Sequence, residues 1–212
     1  MTNFIPIFPL GIVVFPGENL NLHIFEPRYK QLITDCFGEA KPFGIPTVFK
    51  NGLSEYGTLV NVSEVVQVYE DGKMDIKTKG VAVFRTLELL KQIPEKLYSG
   101  AIVSYPDNDE NINIILLRKV LEKLRSLHEI LHLNKDFKKP DEELSSYDVA
   151  HHAGLSIDEE YEMLRLTRED QRLEYLNRHL TKVLPVLGEM ETLKDRIKLN
   201  GHFKNLSGNF DV

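Results

Sequence analysis

A chain of 212 residues that is 42% apolar and 27% charged has the makeup of a water-soluble globular protein, with room for one large domain or two small ones. Its net charge of -6, without any Lys/Arg run, excludes general nucleic-acid binding, and no apolar run approaches the ~20 residues that span a bilayer. The single cysteine, Cys36, cannot close an internal disulfide, and the N-terminus lacks the basic-then-apolar order of a signal peptide; the expected compartment is the cytoplasm.

The first half reads as β structure. Phe4 to Phe15 forms two short apolar runs interrupted by Pro6, Pro9 and Gly11, which places them at sheet edges or ends. Asn19 to Ile24 alternates polar and apolar residues, as a half-buried strand does. Pro27 suits the first turn of a short helix, on which Tyr29, Leu32, Ile33 and Cys36 share one face before Gly38. Phe43 to Phe49 reads as another strand, held to an edge by Pro46. Thr58 to Tyr69 and Met74 to Val83 form a hairpin about the turn Glu70-Asp71-Gly72-Lys73, with Gly80 marking a bulge. Leu87 to Leu90 and Ala101 to Tyr105 bring the number to six or seven strands, a compact barrel or sandwich.

After Tyr105 the period changes. Ile112, Ile115, Leu116, Val120, Leu124, Leu127 and Leu131 recur at three- and four-residue steps and predict an amphipathic helix, with Asp109 as its cap. Asn134 to Glu143 is a polar loop. Ser145 with Asp148, Ser156 with Glu159 and Thr167 with Asp170 mark three further helix starts of capping-box type. Leu173, Leu176, Leu180, Val183, Leu187 and Met190 stripe a long last helix that contains Pro185. The expected organisation is α+β: a β-rich part over 1–106, a helical part over 107–200, and a flexible tail over 201–212.

Ile5-Pro6-Ile7-Phe8-Pro9-Leu10 with Val13-Val14-Phe15-Pro16, and then His23-Ile24-Phe25-Glu26-Pro27-Arg28-Tyr29, resemble the opening of the Lon protease N-terminal, substrate-binding domain. Gly57-Thr58-Leu59, Lys79 to Arg85, Leu155 to Glu159 and Arg172-Leu173-Glu174-Tyr175-Leu176 follow in the family's order, so the resemblance covers about residues 4 to 185. It implies a PUA-like, twisted β-barrel-like subdomain followed by a helical bundle. It also implies non-catalytic binding of unfolded or degron-bearing polypeptide, as an adaptor or holdase, with a protease or chaperone as a further partner. No cofactor is expected. The phosphate-cradling Gly-x-x-x-x-Gly-Lys-[Ser/Thr] loop of Lon's ATPase does not occur in the chain, nor does its Ser–Lys peptidase module.

One motif points elsewhere. His128-Glu129-Ile130-Leu131-His132 matches the His-Glu-x-x-His of zinc hydrolases, in which two histidines one helical turn apart hold Zn²⁺ and the Glu activates its water. His151, His152, Glu159 and Glu160 are numerically available as a third ligand. The competing reading makes the motif the end of an amphipathic helix whose buried stripe is Leu124, Leu127 and Leu131. Cys36, on an apolar face, reads as a structural thiol, and Asp158, Glu159 and Glu160 as the acidic first turn of a helix.

Phe25, Arg28, Tyr29 and Lys30 combine aromatic, cationic and apolar groups near a helix start and are the candidate polypeptide-binding residues. A groove between the β-rich and helical parts is the expected place for apolar client side chains. The stripe of the last helix offers either core packing or a face for homo-oligomerisation.

Overall fold

The computed structural model describes residues 2–109, 111–137 and 139–206. Its strands are β1 (Thr2–Pro6), β2 (Asn19–Ile24), β3 (Phe43–Phe49), β4 (Gly52–Val68), β5 (Met74–Leu90) and β6 (Gly100–Ser104). They form one antiparallel six-stranded sheet in the order β1-β6-β5-β4-β3, with β2 pairing on β5. Beyond β1 the chain runs on to the far edge: Ile7 and Leu10 bridge Gly44 and Thr47 of β3 in parallel, and Phe8 N–H donates to the Gly44 carbonyl at 2.8 Å. The edge that Pro46 leaves incomplete is thereby covered, and the sheet curls into a barrel-like closure.

The long β4–β5 hairpin spans what the sequence divides into shorter strands. Gly72 in its turn has φ 74°, the left-handed conformation that glycine adopts without steric cost. At Gly80 the register steps from Leu59↔Ala82 to Val60↔Gly80, so Val81 is the extra residue of the predicted bulge. A Cβ at position 80 would collide with the Phe15 carbonyl, because the Pro16–Gly17 turn crosses the strand there.

Helix α1 (Pro27–Gly38) starts at Pro27 and buries Tyr29, Leu32, Ile33 and Cys36, which pack on Phe8, Phe43, Ile45 and Ile76 of the barrel. The helical part comprises α2 (Ile114–Ile130), α3 (Ser146–Val149), α4 (Ile157–Arg165) and α5 (Glu169–Leu206), with short 3-10 turns at Asp141–Glu143 and Ala150–His152. Both serine capping boxes form, Ser145 with Asp148 and Ser156 with Glu159. Two expected caps are replaced. Asn113 rather than Asp109 caps α2, accepting from Leu116 N–H at 3.2 Å. At α5, backbone pairing takes the place of the Thr167 box: Asp109 N–H donates to the Thr167 carbonyl, and Glu169 N–H donates to the Asp109 carbonyl. From Gly201 to Leu206 the chain continues α5, while 207–212, the end of the expected tail, lie outside the described residues.

The two parts share a core. Val13, Phe15 and Val83 of the barrel pack into the cluster built from α2, α3, α4 and α5. Phe15 is sealed from solvent and stacks on Tyr147, with ring centroids 5.2 Å apart. Tyr161 of α4 reaches back to β4, its hydroxyl accepting from Tyr56 N–H at 3.1 Å.

Candidate functional site

The hairpin turn, the end of β2 and the start of α1 meet on one face. Phe25, in the bend between β2 and α1, is 58% exposed. Its ring lies 6.2 Å from that of His23 at an interplanar angle of 27°, and His23 in turn meets the edge of Tyr69 at 6.0 Å. Asp75 clamps two of these rings: one carboxylate oxygen lies 2.6 Å from His23 Nδ1, and the other accepts from the Tyr69 hydroxyl at 2.7 Å. Those bonds, Tyr69 first and His23 second, hold the Asp75 carboxyl below its ordinary range. His23 and Tyr69 are therefore fixed before anything binds, and Phe25 stands beside them. A shallow hollow of about 600 Å³ beside it is lined by His23, Tyr69, Glu70, Asp71 and Lys73, and Val68 is exposed at the end of the adjoining strand.

Of the other three candidate residues, Lys30 adjoins this face. Lys30 donates to the Asp71 carbonyl at 2.8 Å and ties α1 to the hairpin turn. Arg28 pairs with Glu26 at 2.8 Å and lays its guanidinium over the Tyr29 ring at 4.4 Å. Tyr29 itself is core, buried against Phe8 with centroids 4.1 Å apart, so it positions α1 rather than facing solvent. His23, Tyr69 and Asp75 were not distinguishable as site residues from sequence. Their meeting depends on the β2–β5 register that sets His23 opposite Asp75.

A cleft of about 500 Å³ does lie between barrel and helices, lined on one side by Pro16, Lys79 and Val81 and on the other by Ile112, Lys139 and Tyr147. Its floor is polar. Arg172 and Glu169 pair at 2.9 Å, and Arg172 also donates to Ser146 Oγ, Asn108 Oδ1 and the carbonyls of Leu166 and Asp109. Every direction of the guanidinium is occupied, so it acts as a fastener between α5, α3 and the 108–109 segment.

The His-Glu-x-x-His residues are not brought together for a metal. α2 ends at Ile130, and His132 lies beyond it at φ 54°, 74% exposed and 3.7 Å from Glu191. His128 takes the place in the buried stripe expected for Leu131, donating from Nε2 to the His152 carbonyl at 3.0 Å, while Leu131 is exposed. Two imidazoles share a zinc only if the helix carries both on one face, and here it stops between them. Among the described residues no group of three or more His, Cys, Asp or Glu is arranged to hold a metal ion.

His151 joins the two parts instead. Its Nδ1 lies 2.7 Å from Glu160 on α4 and its Nε2 3.2 Å from Glu18 of the barrel, with the ring against Phe15. Burial alone lowers its pKa, but the bonds to Glu160 and Glu18 outweigh it and raise the value to about 9. Cys36 is buried, and burial followed by the charge of Asp35 pushes its thiol up to about 12, far from a nucleophile's range.

Among the described residues no helix is long and apolar enough to cross a membrane. The chain superposes on a Lon N-terminal domain protein from Xanthomonas campestris with a TM-score of 0.61 and 25% identity, covering 82% of this chain and 96% of that one. It has the same fold as the N-terminal domain of Mycobacterium avium complex Lon protease, with a TM-score of 0.60 at 12% identity, covering 84% of this chain and 98% of that one. The sequence model of the ATP-dependent protease La (LON) substrate-binding domain matches residues 5–182, and the chain belongs to that family.

Proposed function

We propose that the chain binds unfolded or degron-bearing polypeptide without altering it covalently, as an adaptor or holdase, through the face that carries Phe25. The family supports polypeptide as the ligand class. The observation that carries the location is the aromatic row Phe25–His23–Tyr69, in which Asp75 holds His23 and Tyr69 and Phe25 is open to solvent. Rigid aromatic groups contribute most to binding because they bury large apolar area and lose little rotamer entropy. Lys30 adds a cationic donor beside the same face and Arg28 a second in the first turn of α1, both suited to carbonyl and carboxylate groups of a client. Tyr29 serves from beneath, holding α1 in place.

Such a surface asks for no nucleotide and no metal. Incubation with a labelled, permanently unfolded polypeptide should give co-elution in gel filtration without added nucleotide, with the polypeptide intact afterwards. Failure to co-elute at micromolar concentrations contradicts the binding role, and cleavage of the polypeptide contradicts its non-catalytic character.

A further inference from the structure

The hollow beside Phe25 has a lining suited to one kind of side chain. His23, Tyr69, Glu70, Asp71 and Lys73 form it, and none of them is aliphatic. Asp75, bonded to His23 and Tyr69, adds a third carboxylate. Three carboxylates therefore stand against the single ammonium of the lining, and that ammonium is engaged: Lys73 pairs with Asp71 at 2.7 Å. The neighbouring cation Lys30 donates to the Asp71 carbonyl at 2.8 Å. Glu70 is exposed and has no hydrogen-bond or ion-pair partner among the described residues. An aliphatic client side chain would desolvate these carboxylates without pairing them. A client carboxylate would meet their like charge. A cation gains from the free Glu70 and from the electron-rich faces of the rings.

We propose that this hollow receives an arginine side chain of the bound polypeptide, with Glu70 as its ion-pair partner and Tyr69 and His23 as the rings that meet it. Given that polypeptide binds at the Phe25 face, on which this assignment rests, clients are segments that place an arginine next to an aromatic or large apolar residue. Arginine fits better than lysine, because its planar guanidinium lies on a ring and still forks onto a carboxylate, whereas an ammonium holds its water more tightly. The chain uses the same combination on itself. Arg28 lies 4.4 Å from the Tyr29 centroid while pairing with Glu26 at 2.8 Å. Arg172 lies 4.3 Å from the Tyr147 centroid while pairing with Glu169 at 2.9 Å. Because Asp75 already holds His23 and Tyr69, the two rings give up little freedom when a guanidinium arrives.

Fluorescence anisotropy of labelled peptides with the full chain, at low ionic strength, tests this. The peptides share one sequence containing a phenylalanine and carry beside it arginine, lysine or citrulline, the uncharged isostere of arginine. The wild type should bind the arginine peptide roughly threefold to tenfold tighter than the citrulline peptide, with lysine between them. Glu70→Gln, a change at an exposed position, should cut that preference to within about twofold, the part left to the rings. Phe25→Ser should weaken all the peptides alike and keep their ratios. Equal wild-type affinities for arginine and citrulline, or a preference unchanged in Glu70→Gln, overturns the assignment of the hollow, whatever Phe25→Ser does. A lysine peptide as tight as the arginine peptide overturns the stacking of a guanidinium. Unchanged affinities in Phe25→Ser overturn the Phe25 reading instead, and the arginine ratio still decides the hollow. A wild type that binds none of the peptides overturns both.

Discussion

Arg172 and Glu169 pair at 2.9 Å with side-chain exposures of 0% and 1%, so the ion pair that fastens α5 to α3 and the 108–109 segment has no contact with water. Ser146 completes it, its N–H and hydroxyl donating to the two Glu169 oxygens at 2.7 and 2.6 Å. Removing one member of such a pair leaves the other charge buried and unmatched. Arg172→Ala should therefore destabilise the chain by about 3–5 kcal/mol, measured by urea unfolding. Arg172→Lys should recover only part of that, because an ammonium cannot serve Ser146, Asn108 and two carbonyls in the guanidinium's plane. A loss below ~1 kcal/mol in Arg172→Ala would show that the pair is not what holds α5 in place.

The His151 bridge makes stability depend on pH. Its pKa stands near 9 in the folded chain, above the ~6.5 of an unfolded histidine. A raised folded pKa gives a contribution that is fully present below the unfolded value and is lost as pH rises through the folded one. The window here is about pH 6.5 to 9. Glu18 and Glu160 face the ring with opposite charge, while His152, itself held low by burial, adds no stabilising charge. The ring is about a third exposed, which screens the effect to the order of 1–2 kcal/mol. Wild-type urea midpoints should fall across that window more steeply than those of His151→Gln. Parallel pH profiles would contradict the bridge.

Much of this architecture was legible in residue order, and the failures share a cause. The face of α1 was readable because Tyr29, Leu32, Ile33 and Cys36 obey a local period, and all four are buried. Gly72 and Gly80 were readable because a turn and a bulge each need a backbone that glycine supplies. Local rules failed where distant chain intervened. The Thr167 box gave way to Asp109, 58 residues upstream in sequence, whose backbone satisfies the start of α5. His128 displaced Leu131 from the buried stripe because α2 stops at Ile130 and the His152 carbonyl offers the imidazole a partner. Arg172 was legible only as part of the family's Arg-Leu-Glu run, since its burial depends on partners up to 64 residues away. At the proposed binding face, Phe25 and Lys30 were legible as anchor types, whereas His23, Tyr69 and Asp75 are joined only by strand register.

Zinc offers a direct check on the helix end. With His128 bonded to a carbonyl and His132 past the last turn of α2, the chain should carry no stoichiometric zinc after dialysis against the metal. Elemental analysis reads the result. One equivalent of zinc, lost in His132→Ala, would contradict the placement of both histidines.

The central claim is that polypeptide is held at the Phe25 face, and titration of a fluorescently labelled unfolded polypeptide tests it most directly. Phe25→Ser should weaken binding by about tenfold, the cost of losing an aromatic anchor. Phe37→Ser removes a comparably exposed phenylalanine at the other end of α1 and should leave affinity unchanged. Equal affinity of wild type and Phe25→Ser, or equal loss in both variants, would contradict the claim.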